Sequence, residues 1–222
     1  MDSDMNKLQK GLARSVGLLM GFLLWTAVVS LVDVQAIGPE GSTVGLATLN
    51  GFFHRLTGVH WWLYTLTDWL SLIPFGIMGG FGLLGLWQWI RRKSICKVDP
   101  SLWMLGCFYG VVLVVYLLFE QVVINHRPVL IEGILEASYP SSTTMLVLCV
   151  MPTAVMQLKS RIRHPGLKRW ITGLLMVFTV FMVVGRLISG VHWLTDIVGG
   201  ILLSGGLELA YQSATGFSKP DP

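Results

Sequence analysis

Long apolar runs, separated by short polar segments, set the pattern of this 222-residue chain. A hydrocarbon core about 30 Å thick is crossed by about 20 apolar residues in a helix. The runs reach that length six times, over 15–35, 63–90, 101–124, 141–158, 168–188 and 192–212. Backbone groups in hydrocarbon need partners within the chain, so helices are the form these runs predict. The expectation is an all-α, polytopic membrane protein: one membrane domain over 1–222, six transmembrane helices and short N- and C-terminal tails. The second run exceeds one span and predicts a tilt, or a bend near Pro74. No soluble domain fits in the remainder.

Composition agrees. Hydrophobic residues make up 53% of the chain and charged residues 13%, against about 25% charged in soluble domains. The net charge of +4 raises nucleic acid as a partner, but the placement of the cations argues otherwise. Lys7, Lys10 and Arg14 precede the first run; Arg91, Arg92, Lys93 and Lys97 follow the second; Lys159, Arg161, Arg163, Lys168 and Arg169 lie between the fourth and fifth. Basic residues on alternate loops predict cytoplasmic termini by the positive-inside rule. On the opposite side the cations are Arg55, Arg127 and Arg186, so the last two need another explanation. Cys96, Cys107 and Cys149 form no CxxC pair and no metal spacing, and free thiols are expected. The first run is too long for a signal h-region and lacks a convincing cleavage site, which predicts a retained helix. No internal repeat is visible, which counts against a transporter.

Between the first two runs, residues 37–60 mix glycine, threonine and aromatics. Leu46, Leu49, Phe52 and Phe53 recur at helical spacing, so this segment is either a short interfacial amphipathic helix or an ordinary loop. His60 beside Trp61 and Trp62 fits an interfacial aromatic belt. Gly79, Gly80, Gly82 and Gly85, and later Gly199, Gly200, Gly205 and Gly206, predict close helix packing. Asp68 falls inside a predicted span, where a carboxylate is costly. It either makes a buried structural hydrogen bond or serves a substrate site.

Three clusters at the ends of the runs carry the chemistry. Arg127 precedes Pro128, which holds it extended, and its planar fork of donors matches phosphate. Pro140, Ser141 and Ser142 open the fourth run. A helix start offers free N–H groups to an anion, and Ser141 or Ser142 also suits a plain N-cap. Arg186, His192 and Asp196 form the third cluster. On a helix, Asp196 lies one turn from His192, placed to take a hydrogen bond from one ring nitrogen and leave the other free. Attack by that nitrogen on phosphorus gives a phosphohistidine. Arginines, hydroxyls and a His–Asp pair are together the parts of a phosphoryl-transfer site.

These three clusters resemble the signature of the type 2 phosphatidic acid phosphatase (PAP2) and haloperoxidase superfamily, in particular its bacterial membrane lipid phosphatases. That signature runs Lys-x6-Arg-Pro, Pro-Ser-Gly-His and Ser-Arg-x5-His-x3-Asp. It is matched here by Arg127-Pro128, Pro140-Ser141 and Arg186…His192…Asp196. The resemblance covers roughly 60–212 and implies a PAP2-like helical bundle with its site on the extracytoplasmic side. It implies His192 as nucleophile and Asp196 as its orienting acid. Arg127, Arg186, Ser141 and Ser142 would hold the phosphoryl oxygens of a lipid phosphate or diphosphate. It implies no metal and no cofactor, since the arginines take the charge-stabilising part.

Three departures bear on activity. Glu120 stands at the family's Lys, Gly185 at its Ser, and Ser142-Thr143 at its Gly-His. Thr143 therefore replaces the His that protonates the leaving group, and a threonine hydroxyl supplies no proton near neutral pH. His126, beside Arg127, is a candidate substitute acid. A diphosphate expels a phosphate monoester, a far better leaving group than the alkoxide expelled by a monophosphate ester. The missing acid therefore favours a lipid diphosphate, of the undecaprenyl diphosphate kind. The alternatives are a weakened or inactive relative that binds lipid phosphates, or a substitution at position 143 in an otherwise active enzyme. Oligomeric state is not encoded in these patterns.

Overall fold

A computed structural model describes residues 2–216. Eight α-helices account for most of them: α1 (Asp2–Leu31), α2 (Ala47–Thr57), α3 (Trp61–Leu70), α4 (Leu72–Arg92), α5 (Pro100–Gln121), α6 (Ser142–Arg161), α7 (Pro165–Ile188) and α8 (Leu194–Thr215). Six segments are long and apolar enough to cross a membrane, with α3 and α4 forming one of them. The protein is all-helical and multi-pass. Its outward side chains are apolar, as a lipid-facing surface requires: Trp170 is 80% exposed and Leu31 79%.

Several boundaries differ from the sequence reading, each for a local reason. The first helix ends at Leu31 rather than 35, because Asp33 takes a positive φ of 49° and its carboxylate accepts from the Thr48 N–H (2.7 Å) at the start of α2. The second span is interrupted at Ser71, three residues before Pro74, which agrees with the expected bend near that proline. Pro74 lies in the first turn of α4, where its missing N–H has no helical partner to lose. The segment at 37–60 does contain a helix, α2. The last helix starts at Leu194, so His192 lies in the preceding turn and not on the helix as expected.

α8 is central and packs against α1, α6 and α2. Small residues allow the approach. A Cβ on Gly199 would sit 2.7 Å from the Tyr139 ring, and one on Gly206 would sit 2.7 Å from Leu19. Tyr139, fully buried, stacks on Phe22 and shares a 2.7 Å hydrogen bond with Thr26. The other glycine group behaves differently. At Gly79, Gly80, Gly82 and Gly85 an added Cβ meets nothing within 4 Å, which corrects the expected packing surface on the second span. Cys96 and Cys107 are exposed and Cys149 is buried, and all three are free.

The bundle has two chemically different ends. At one, Asp99 lies 3.1 Å from Arg92 and 3.8 Å from Arg161, tying α4, α5 and α6 together within the basic loops. At the other, the segments before α6 and between α7 and α8 converge, and they carry all three motif clusters.

Candidate active site

The turn before α8 is held from several sides. The Asp196 carboxylate accepts from the Trp193 N–H (2.8 Å), capping the helix start. The Asp196 carbonyl accepts from the Ser141 N–H (3.0 Å), joining the third cluster to the second. The Trp193 indole N–H donates to the His126 carbonyl (2.7 Å), joining the third cluster to the first. Asn50 of α2, fully buried, donates to the Thr195 hydroxyl (2.9 Å) and accepts from the Thr195 N–H (3.3 Å). Gly190 has φ +69°, and a Cβ there would lie 1.9 Å from the Gly58 carbonyl oxygen. Only glycine lets the α7–α8 turn pass so close to the start of α3. Nothing in the local sequence pattern around Asn50 or Trp193 marks them as anchors, because their partners lie far away in the chain.

This scaffold buries His192, at 4% exposure. Its Nδ1 faces Asp196 Oδ2 at 3.6 Å, too long for a hydrogen bond. Its Nε2 faces Arg127 Nη1 at 3.4 Å. Arginine only donates, so Nε2 must hold the lone pair and the ring proton belongs on Nδ1, toward Asp196. Burial, followed by the charges of Arg127 and Arg186, holds His192 well below the ordinary imidazole pKa. A neutral ring with Nε2 unprotonated is the form a nucleophile needs.

The two arginines are buried around the same point, Arg127 at 8% and Arg186 at 1%. Arg186, in the last turn of α7, lies over the Tyr64 ring (5.2 Å) and 3.6 Å from Asp68, both on α3. Arg127 follows α5 in an extended segment, where its N–H donates to the Glu136 carbonyl (3.0 Å). Its Nε lies 3.0 Å from the Glu136 carboxylate but out of line for a hydrogen bond. Arg127 Nε, and Arg186 Nε and Nη1, are buried without hydrogen-bond partners. Two of the three face a carboxylate as ion pairs, Arg186 Nε faces none among the described residues, and all are donors of the kind that match a phosphoryl group.

Both arginines line a cavity of about 490 Å³, together with Asp68, Glu120, His126, Glu136, Ser142 and Thr143. His192 opens instead on a narrow adjoining pocket, which shares Tyr116, Glu120, Ala137 and Ser142 with the cavity. Ser141 is placed differently from the phosphate-binding expectation. Its hydroxyl accepts from the Thr144 N–H (3.4 Å) as the N-cap of α6, and it borders neither space. Of the residues at the start of α6, Ser142 and Thr143 line the cavity, and Ser71 and Tyr116 add two further hydroxyls to its wall. Glu136 was not singled out by the sequence. It becomes visible only when the 122–141 segment folds back on itself.

Fold and site together define a class: a six-span helical membrane protein with two buried arginines at one polar cavity and a buried histidine at the pocket adjoining it. Residues 108–216, which include all three clusters, match the PAP2 superfamily, and the chain belongs to it. The crystal structure of a transmembrane PAP2-type phosphatidylglycerolphosphate phosphatase from Bacillus subtilis matches with a TM-score of 0.60 at 20% identity. The match covers 92% of this chain and 97% of that one. At that identity the likeness is one of fold. No curated protein sequence matches the chain.

Proposed function

We propose that this chain, as one membrane domain, is a lipid phosphatase that hydrolyses a lipid phosphate or diphosphate through a phosphohistidine on His192. The observation that carries the reading is the pair of buried arginines that line the same cavity, with His192 beside Arg127 and its Nε2 unprotonated. Arg127 and Arg186 hold the phosphoryl oxygens, with Ser142 and the start of α6 nearby. Nε2 attacks phosphorus and the leaving group departs. Asp196 fixes the ring through the Nδ1 side, and water then hydrolyses the phosphoenzyme. Thr143 stands at the family's general acid, so the preferred substrate is a diphosphate, whose leaving group needs no proton. A polyprenyl diphosphate such as undecaprenyl diphosphate fits that chemistry.

The test is phosphate release by purified protein from a panel of lipid monophosphates and diphosphates, beside His192→Ala. Release from the diphosphates that depends on His192 supports the reading. Tight binding without release by either protein supports the second reading, a relative that binds lipid phosphates. That reading is favoured by the same Thr143 and by the negative charge that Glu120 adds to the cavity.

Two further outcomes are expected. The basic loops motivate cytoplasmic termini and an extracytoplasmic site, so cysteines placed in the 159–169 segment, where α6 meets α7, should be protected from impermeant reagents added outside cells. Labelling of that segment from outside would reverse the topology and the leaflet of the substrate. The lowered His192 pKa gives a pH dependence of known sign. The imidazole stays neutral as pH falls through its ordinary value of 6.5, so kcat/KM should persist there and fall only well below it. An acid limb centred at or above 6.5 contradicts a neutral buried nucleophile.

A further inference from the structure

We infer that Glu120 is the general base for the second half of the reaction, the hydrolysis of the phosphoenzyme. This rests on the phosphatase reading above. Glu120 closes α5 and lines both the arginine cavity and the narrow pocket onto which His192 opens. It is the one carboxylate among the described residues that borders both. Of the three acids lining the larger cavity, Asp68 and Glu136 face Arg186 and Arg127. Glu120 has no ion-pair partner within 4.0 Å among the described residues.

The chemistry needs such a group. Hydrolysis of a phosphohistidine requires a proton acceptor for the attacking water. The arginines only donate, and the Thr143 hydroxyl is no base near neutral pH. His192 is itself the leaving group, and Asp196 lies on the Nδ1 side, bonded to the Trp193 N–H. His126 borders the larger cavity but not the pocket at His192. The lysine of the family pattern can only donate, whereas the carboxylate that replaces it accepts.

In the step, water's oxygen bonds to phosphorus while one of its protons passes to the Glu120 carboxylate. The P–Nε2 bond breaks, its electron pair returns to Nε2, and inorganic phosphate leaves. Glu120 then loses the proton to solvent. A diphosphate substrate thus needs no acid in the first half-reaction and finds its base in the second. Thr143 and Glu120 are two parts of one adaptation.

The experiment uses a lipid diphosphate labelled in its terminal phosphate, with wild-type protein and the Glu120→Gln, Glu120→Asp, His126→Gln and His192→Ala variants. Steady-state phosphate release and label retained on denatured protein are both read. Glu120→Gln should lower release by roughly 10²-fold, within the range for general acid–base catalysis, while releasing a burst of lipid monophosphate and accumulating label. Glu120→Asp should retain intermediate release, which separates loss of the base from misfolding. Unchanged release in Glu120→Gln, reduced release without retained label, or Glu120→Asp no faster than Glu120→Gln each overturns the assignment. So does accumulation of label in His126→Gln instead. Wild-type protein that releases no phosphate from any lipid phosphate or diphosphate fails the phosphatase reading itself, and Glu120 with it.

Discussion

Replacing His192 with alanine is expected to lower kcat on a lipid diphosphate by roughly 10⁴-fold or more, the scale on which removal of a nucleophile acts. His192 Nε2 is the ring nitrogen that lies against Arg127 among the described residues. Asp196→Asn should cost less, on the order of 10²–10⁴-fold, because an amide can hold the ring in the wrong tautomer while leaving the nucleophile in place. Asp196 also caps α8 through the Trp193 N–H, so the asparagine variant is preferable to alanine, which would lose the cap as well. Vanadate, which imitates five-coordinate phosphorus, should compete with substrate in wild-type protein. Phosphate release by His192→Ala at the wild-type rate contradicts the mechanism whatever the motif match.

Thr143→His is expected to raise the rate on lipid monophosphates by roughly 10²-fold or more, the usual contribution of general acid catalysis. Position 143 is nearly buried, lies in the first turn of α6 and lines the cavity with both arginines. Imidazole in water has a pKa near 6.5, the closest of any side chain to neutrality, and it is the group the family pattern places there to protonate the leaving alkoxide. The gain on a diphosphate should be smaller, since its leaving group departs unaided. Matched initial rates on a mono- and diphosphate of one lipid decide the point. Equal gains on both defeat the leaving-group argument, and no gain on either shifts weight to the lipid-phosphate-binding reading.

The spans were legible because hydrocarbon imposes one strong requirement, a long apolar run, and composition alone reveals it. Their ends were less so. Pro74 signalled the break at Ser71, but the early end of α1 comes from the Asp33 carboxylate accepting from the Thr48 N–H, which leaves the hydropathy pattern unchanged. The two glycine groups look alike in sequence. Those at 199–206 meet neighbouring side chains and those at 79–85 meet none, because packing depends on which face α8 and α4 turn inward. The clusters at Arg127, Ser142, Arg186 and His192 were readable from residue type and spacing. Their pairings were not: Asp68 with Arg186, Glu136 with Arg127, and Asn50 with Thr195 join residues far apart in the chain. Ser141 carried two readings, and its hydroxyl follows the ordinary one, the helix cap.

The central claim, transfer of a phosphoryl group to His192, is tested most directly by trapping the intermediate. Protein mixed with a lipid diphosphate labelled in its terminal phosphate is denatured within a turnover, and the label is mapped by peptide. The account predicts phosphate that is stable to base and labile to acid, carried on the peptide containing His192 and absent from His192→Ala. Steady phosphate release with no label on the protein at any time, or label on a different residue, would contradict it.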